Sequence, residues 1–286
     1  ISFPLFIASN MDAARKRTYA FDKIPIVFDI GLRYTKCGYA GEALPRHIVK
    51  SPASLVKAIQ ECENLGPATF GNSLASPEKC FLIFEEFLNY LYYHIIQANP
   101  KERPIILCES IMTPRIFTET LAKIMFTKMQ VPVVFFVMAN SLPLYLTSEK
   151  TGIVVESGYL DTTILPIYQE IPITKAFQSV GVGSIHVEKE LKQKLIEDNA
   201  DAAESVRELP FKFFEDLKAK AVSVPTREHE VQREQSDDLA KTLKDTKQKI
   251  GRIGDTEIDF FMSAETRLFS TVSLFNPYYS DESNIA

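Results

Sequence analysis

Two stretches of the sequence place an acidic residue, one further residue and a glycine at the end of a β-rich run. The first holds Asp29 and Gly31, and the second holds Glu156 and Gly158, at the same offset of 127 residues (156 − 29). An acid at a strand end can hold a hydrated divalent cation, and a glycine lets backbone N–H groups approach phosphate oxygens. A single such turn is also typical of an ordinary β-hairpin, but the matched pair favours a nucleotide clamp.

A lysine stands on the returning strand of the first hairpin. Lys36 can bring its ammonium to the same phosphates as a point charge, although most lysines are solvated surface residues. The 127-residue offset is about the length of one compact α/β lobe, so the repeat predicts two similar lobes with a cleft between them.

Strands and helices are predicted to alternate around these loops. Hairpins are expected over residues 24–40 and 151–169, and strands at PIILCES and at Val131–Val137. Ser76, Pro77 and Glu78 predict a helix start, and apolar residues at three- and four-residue spacing continue to Asn99-Pro100. A second helix opens at Thr113-Pro114, and a third covers Ser184 to about Ile196. The order predicts an α/β fold with a mixed sheet.

Composition limits the function classes. The 286 residues carry 32 Lys+Arg against 37 Asp+Glu, a net charge of −5, which argues against a nucleic-acid partner or an anionic membrane surface. No run approaches the roughly 18 apolar residues of a membrane span. The four cysteines show no metal-ligand spacing, so reduced thiols are expected.

The predicted organisation has three parts. Residues 1–23 form a non-core N-terminal extension, residues 24–150 a first lobe, and residues 151–286 a partial second lobe with a charged insert at about 227–252. The last segment, Glu257 to Asn276, shows no closing strand or helix pattern. Because the first methionine is Met11, residues 1–10 are expected to be non-native sequence, and the chain is expected to be a fragment.

Two sequence segments resemble the phosphate-binding loops of the actin superfamily. DIGLRYTKCGYAGEALPR, from Asp29, is similar to the first phosphate loop of actins, and TGIVVESGYLDTTILPIYQEIPI, from Thr151, to the second. The segment Phe214–Lys218 resembles the helix that contacts adenosine. The resemblance implies an α/β, actin-like (ribonuclease H-like) fold of two lobes with mixed sheets, in which the second lobe is incomplete and the first has a reduced small subdomain.

The resemblance also implies a nucleotide site. ATP or ADP with Mg²⁺ would be held structurally rather than turned over, with Asp29 and Glu156 holding the metal through water. The implied nucleotide-binding residues are Asp29, Gly31, Lys36, Glu156, Ser157, Gly158, Gly183 and Lys218.

Other positions depart from the actin pattern. Ala139 stands where actins have a water-positioning glutamine, and Tyr159 and Leu160 replace an aspartate and a glycine of the second loop. Losing a base or a water-positioning group typically slows a reaction by about 10²–10⁴. The resemblance therefore implies a pseudo-ATPase.

The stretch between Ser51 and Pro77 is shorter than in actins. This shortened stretch, together with the sequences of the two loops, resembles the branch of actin-related proteins that caps the pointed end of the dynactin filament. Expected partners are actin-related filament subunits and pointed-end subunits, indirectly dynein, with a cytoplasmic, cytoskeletal location and a role in microtubule transport. The alternatives are a nuclear actin-related subunit of a chromatin-remodelling complex and an active phosphotransferase of the actin, sugar-kinase and chaperone superfamily.

Overall fold

Strands and helices alternate along the chain, as the sequence predicts for an α/β protein. The computed structural model describes residues 23–57, 77–226, 247–253 and 256–274. The first sheet contains β1 (Ile26–Ile30), β2 (Tyr34–Tyr39), β3 (His47–Lys50), β4 (Ile105–Glu109) and β5 (Val134–Met138). Its helices are α1 (Pro77–Tyr90), continued by a π-helical segment (Leu91–Ile96), α2 (Arg115–Thr127) and α3 (Leu142–Leu146).

The later elements follow the same alternation. The strands are β6 (Gly152–Ser157), β7 (Thr162–Tyr168), β8 (Ile171–Pro172), β9 (Gln178–Val180), β10 (Lys247–Ile253) and β11 (Thr256–Ser263). The helices are α4 (Ser184–Asp198), α5 (Ala203–Arg207), α6 (Phe211–Ala221) and α7 (Ala264–Phe269). Short 3-10 turns occupy Pro100–Glu102, Ala139–Ser141, Thr174–Ala176, Ala200–Ala202 and Val272–Leu274.

The first sheet is mixed, which confirms the predicted fold class. Its strand order is β3-β2-β1-β4-β5, in which β1 runs antiparallel to β2 and parallel to β4. The register places Asp29 opposite Lys36 on one side and beside Cys108 on the other. Because β1, β4 and β5 are parallel, their carboxyl ends share one edge, where Asp29 lies.

Helix α1 buries the predicted apolar stripe against this sheet. Phe84, Leu88 and Leu91 are almost fully buried, and the ring of Tyr92 meets Phe28 of β1 edge-on at 5.2 Å. Burying one such side chain contributes about 1.5–3 kcal/mol, so the stripe fixes the helix on this face. The helical run ends at Ile96, ahead of Asn99-Pro100 as predicted. The predicted cap Ser76 lies outside the described residues.

The chain divides into two compact units within the second hairpin. One contains the described residues up to Val154 together with Leu165–Ala176, and the other contains Val155–Ile164 and the residues from Phe177 onward. The second sheet has the order β6-β7-β8, with β9 paired to β7. The predicted lobe boundary between residues 150 and 151 and the N-terminal extension at 1–23 stay predictions.

One expectation for the later part of the chain was wrong, and the charged insert stays a prediction. The segment after residue 256 has regular structure, because β11 pairs with β10 in an antiparallel hairpin and α7 follows directly. Residues 247–252 of the predicted charged insert belong to β10. The remainder of that insert, 227–246, lies outside the described residues.

Within the second unit, polar side chains at the end of α4 bind this hairpin. The Asn199 side chain donates to the Phe261 carbonyl at 2.7 Å and accepts from its N–H at 2.8 Å. The Asp198 carboxylate accepts from Ser263 N–H at 2.7 Å and from the Thr266 hydroxyl at 2.8 Å. Asn199 therefore pairs with β11 as a neighbouring strand would. Among the described residues, no helix has the length and apolar character to cross a bilayer.

Candidate nucleotide-binding loops

The first loop follows β1 and carries an ion pair. Lys36 Nζ lies 3.2 Å from Asp29 Oδ2, and the two side chains are 54% and 40% exposed. An exposed pair of this kind contributes roughly 0–1 kcal/mol, because water screens both charges. Both groups can therefore exchange partners readily when an anion or a hydrated cation approaches.

Gly31 closes the first loop through the absence of a side chain. A Cβ atom at this position would lie 2.6 Å from the Tyr34 carbonyl oxygen, closer than real Cβ contacts allow. The buried Ser51 hydroxyl donates to the Gly31 carbonyl at 2.6 Å, and Ser51 N–H donates to the Arg33 carbonyl at 3.1 Å. No local sequence pattern marks Ser51, because its partners lie about 20 residues away in the chain.

Cys108 of β4 borders Asp29. Burial, reinforced by the Asp29 carboxylate and partly opposed by Lys36, raises the pKa of the Cys108 thiol to about 11. The thiol is thus protonated at neutral pH and adds no negative charge beside the loop. Cys37, Cys80 and Cys108 are free thiols. Cys62 lies outside the described residues.

In the second loop, as in the first, the glycine lies close to the carbonyl oxygen three residues later. Gly158 N–H donates to the Asp161 carbonyl at 2.8 Å, and a Cβ at Gly158 would lie 3.2 Å from that oxygen. The Thr162 hydroxyl donates to the Val182 carbonyl at 2.7 Å. Ser157 Oγ lies 3.1 Å from Thr162 Oγ1. Because Thr162 has one hydroxyl hydrogen, Ser157 must be the donor of the second bond. The preceding Glu156 is exposed.

Gly183 joins the second loop to the start of α4. A Cβ here would lie 2.6 Å from the Tyr159 carbonyl oxygen and 2.7 Å from the Leu160 carbonyl carbon, so only glycine allows this approach. Ser184 N–H and Ile185 N–H donate to the Gly158 and Tyr159 carbonyls, each at 3.0 Å. The loop carbonyls therefore satisfy the first N–H groups of the helix.

A histidine in the first turn of α4 accepts a hydrogen bond from the backbone N–H of Gly183 itself. Gly183 N–H donates to His186 Nδ1 at 3.1 Å, and His186 N–H donates back to the Gly183 carbonyl at 3.0 Å. This reciprocal pair resembles a capping box in which the imidazole takes the place of the usual glutamate.

Lys218 of α6 pairs with a buried acid. Its Nζ donates to Glu188 Oε1 at 2.7 Å, and the Glu188 side chain is only 3% exposed, against 28% for Lys218. A lysine already held by a buried carboxylate is oriented but only partly available to another anion.

The matches to known proteins decide the family. The protein-family model for actin matches residues 82–266, more than half of the chain. The chain belongs to the actin family. Actin-related protein 10 of Dictyostelium discoideum is 33% identical over 200 residues, covering 60% of this chain and 40% of that relative. The chain thus spans less than half the length of this relative.

The actin-family match includes the second loop, Gly183 and Lys218, and begins after the first loop. The actin fold generally binds a nucleotide with Mg²⁺. Among the described residues, no group of three or more His, Cys, Asp or Glu side chains could hold a metal ion by itself. In proteins Mg²⁺ commonly keeps several of its waters and is held by one or two carboxylates together with substrate phosphates.

The predicted nucleotide-binding residues fit a magnesium nucleotide to different degrees. Asp29 and Lys36 present exposed charges, and Glu156 is exposed as well, so carboxylate and ammonium chemistry suited to hydrated Mg²⁺ and phosphate is present. Gly31 shapes the first loop. By contrast, the hydroxyl of Ser157, the N–H groups of Gly158 and Gly183 and the Lys218 ammonium already donate to protein oxygens or nitrogens.

The three residues that depart from the actin pattern, Ala139, Tyr159 and Leu160, lie at the end of β5 and in the second loop. Ala139 begins a 3-10 turn directly after β5, at the sheet edge that also carries Asp29. Its methyl side chain has no group that could orient a water molecule. Tyr159 and Leu160 lie against Gly183, so their backbone serves the contact between the loop and α4.

Proposed function

We propose that this actin-family chain is a non-catalytic structural subunit of dynactin that caps the pointed end of the actin-related filament and so supports dynein-dependent transport along microtubules. The similarity to actin-related protein 10 carries the proposal. The shortened stretch between Ser51 and Pro77 supports it, since a smaller first lobe would offer a filament no ordinary site for the next subunit. The location that goes with this role is the cytoplasmic cytoskeleton.

We further propose that the chain does not hydrolyse ATP. Ala139 cannot position a water, and Tyr159 supplies no carboxylate to the second loop. Either loss alone slows such chemistry by about 10²–10⁴. The exposed Glu156 has no second acid within its own loop other than Asp161, which accepts from the Ser179 hydroxyl at 3.4 Å.

Static binding of ATP or ADP with Mg²⁺ fits the charged residues of the loops. Lys36 would contact phosphate, Asp29 would hold hydrated Mg²⁺, and Glu156 would do the same in its own loop. A bound nucleotide stabilises the folded state by mass action, because the unfolded chain has no affinity for it. Ser157, Gly158, Gly183 and Lys218 would contribute mainly by holding the second loop and α6 in shape.

The partner proposal is tested by affinity purification. The tagged chain and the tag alone are expressed in cells of the source organism, and the co-purifying proteins are identified by mass spectrometry. Recovery of the actin-related filament protein and pointed-end subunits with the chain is expected. Recovery of chromatin-remodelling subunits instead would replace the dynactin assignment with the nuclear alternative.

The nucleotide proposals are tested on the purified chain. Phosphate release from Mg-ATP should equal the buffer background, and Mg-ADP should raise the melting temperature. Lys36→Met should weaken that shift, whereas Lys101→Met, which removes an exposed lysine elsewhere in the same unit, should leave it unchanged. Steady ATP turnover would favour the phosphotransferase alternative.

A further inference from the structure

A groove of about 870 Å³ runs between β3 and α1 in the first unit. Five consecutive residues, Arg46–Lys50, line one wall. Successive side chains of a strand point to opposite faces, so a groove over one face would touch alternate residues only. All four residues of β3, His47–Lys50, are among them, so the groove follows the edge of the strand. The opposite wall and the floor contain Ile83, Glu86, Phe87, Tyr90 and Ile95.

β3 is an edge strand of its sheet. Within residues 23–57 and 77–226, β3 pairs with β2 and lies at the end of the strand order. An edge strand presents backbone N–H and C=O groups that can pair with a further strand. Ile48 is 61% exposed and Tyr90 is 41% exposed, so apolar surface lies beside this edge.

The two faces of β3 differ in chemistry. Val49 pairs with the buried Thr35 and lies on the face that packs against α1, where the groove floor is apolar. Ile48 and Lys50 lie on the other face, and Lys50 is exposed. Glu86, on the α1 side, is exposed and would repel an acid there. An added strand thus meets Val49, His47 and the apolar groove floor on one face, and Ile48 with the basic Lys50 on the other.

We propose that the edge of β3 binds an extended segment of a partner protein in which apolar and acidic residues alternate. The apolar side chains pack on the groove floor beside Tyr90, and the acidic side chains pair with Lys50 on the opposite face. Backbone hydrogen bonds along Arg46–Lys50 supply affinity, and the two faces supply the specificity. This surface is separate from the residues assigned to nucleotide.

The test uses a capped, fluorescein-labelled peptide of alternating valine and glutamate, and a second peptide with lysine in place of glutamate. Fluorescence anisotropy with the full chain should show binding of the acidic peptide and weaker binding of the basic one. Lys50→Glu should weaken the acidic peptide about fivefold and strengthen the basic peptide, because a cross-strand attraction becomes a repulsion. Lys101→Glu, with the same change in net charge, should leave both affinities unchanged.

Amide exchange locates the bound peptide. Deuterium uptake measured by mass spectrometry should fall at residues 47–50 when the acidic peptide is added. The proposal is overturned if neither peptide binds, if Lys50→Glu and Lys101→Glu weaken binding equally, or if residues 47–50 gain no protection. Binding that appears only after deletion of residues 58–76 would assign the edge to the chain's own segment and also overturn the proposal.

Discussion

In the two hairpins that carry the 127-residue repeat, the glycines make the same close approach to a carbonyl but the loops have different supports. In both, the glycine lies against the carbonyl oxygen three residues later, at Tyr34 in the first and Asp161 in the second. The Gly31 carbonyl receives the Ser51 hydroxyl, whereas the equivalent Gly158 carbonyl receives Ser184 N–H from the start of α4. One loop is thus held by a side chain and the other by a helix.

The two loops therefore differ both in how tightly they are held and in how exposed their charged groups are. The ion pair of the first loop, Lys36 with Asp29, is exposed to solvent. Lys218 of the second unit is instead held by the buried Glu188. A helix start occupied by loop carbonyls has fewer N–H groups left for an anion. The first loop is therefore the more accessible one, and the second is the more tightly built.

The largest expected effect is at the contact between the second loop and α4. Gly183→Ala should lower the free energy of unfolding by about 3 kcal/mol, because the new Cβ would overlap backbone atoms that cannot rotate away. Chemical denaturation measures the change. Gly181→Ala, two residues earlier, has open space around its Cβ and should stay within about 0.5 kcal/mol. Equal effects of the two substitutions would show that α4 does not rest on this contact.

The ion pairs give the next contrast. Lys218→Met should destabilise the protein by about 2 kcal/mol, because it removes the ammonium from a carboxylate with 3% exposure. Lys36→Met should change stability by no more than about 0.5 kcal/mol, since its pair is exposed. Urea titrations of both variants are compared with the unchanged chain. A larger loss of stability for Lys36→Met than for Lys218→Met would contradict the view that the Lys218–Glu188 pair contributes more to folding than the Lys36–Asp29 pair.

Substitution of the paired glycines sharpens the comparison of the turns. Gly31→Ala should cost about 2 kcal/mol and Gly158→Ala about 1 kcal/mol, because the approaching oxygens lie at 2.6 Å and 3.2 Å. Thermal melts of the two variants, recorded side by side, rank them. The reverse order would mean that the first turn relaxes more easily than its bond to Ser51 suggests.

The smallest expected effect concerns the thiol beside Asp29. Asp29→Asn removes a negative charge, so the pKa of Cys108 should fall from about 11 and alkylation at pH 8 should become about threefold faster. Mass spectrometry assigns the modified cysteine. Since the folded pKa is raised, the thiol favours the folded state fully below its unfolded pKa, and this contribution is lost as pH rises toward about 11. An unchanged alkylation rate would argue against coupling between the two residues.

Local patterns accounted for most of the fold. The stripe from Phe84 to Ile96 predicted α1 because helical spacing is a property of neighbouring residues, and the β-rich runs around Asp29 and Glu156 predicted both hairpins. The strand at Lys247–Ile253 was missed because its composition is polar and its pairing with Thr256–Ser263, rather than its own sequence, makes it a strand.

The supports of the loops could not be predicted in the same way. The sequence indicated Gly31, Gly158 and Gly183 through their resemblance to phosphate loops. It gave no sign that Ser51 would close one loop or that Glu188 would hold Lys218, 30 residues away. Such partners are chosen by packing, which brings distant residues together after the local elements have formed.

The bonds of Asn199 to Phe261 span 62 residues of sequence, and they fix where the β10–β11 hairpin sits in its unit. The position of the hairpin is thus set by an amide at the end of α4. One side chain serves β11 as a single residue of a neighbouring strand would, so the helix and the hairpin keep a common register through it.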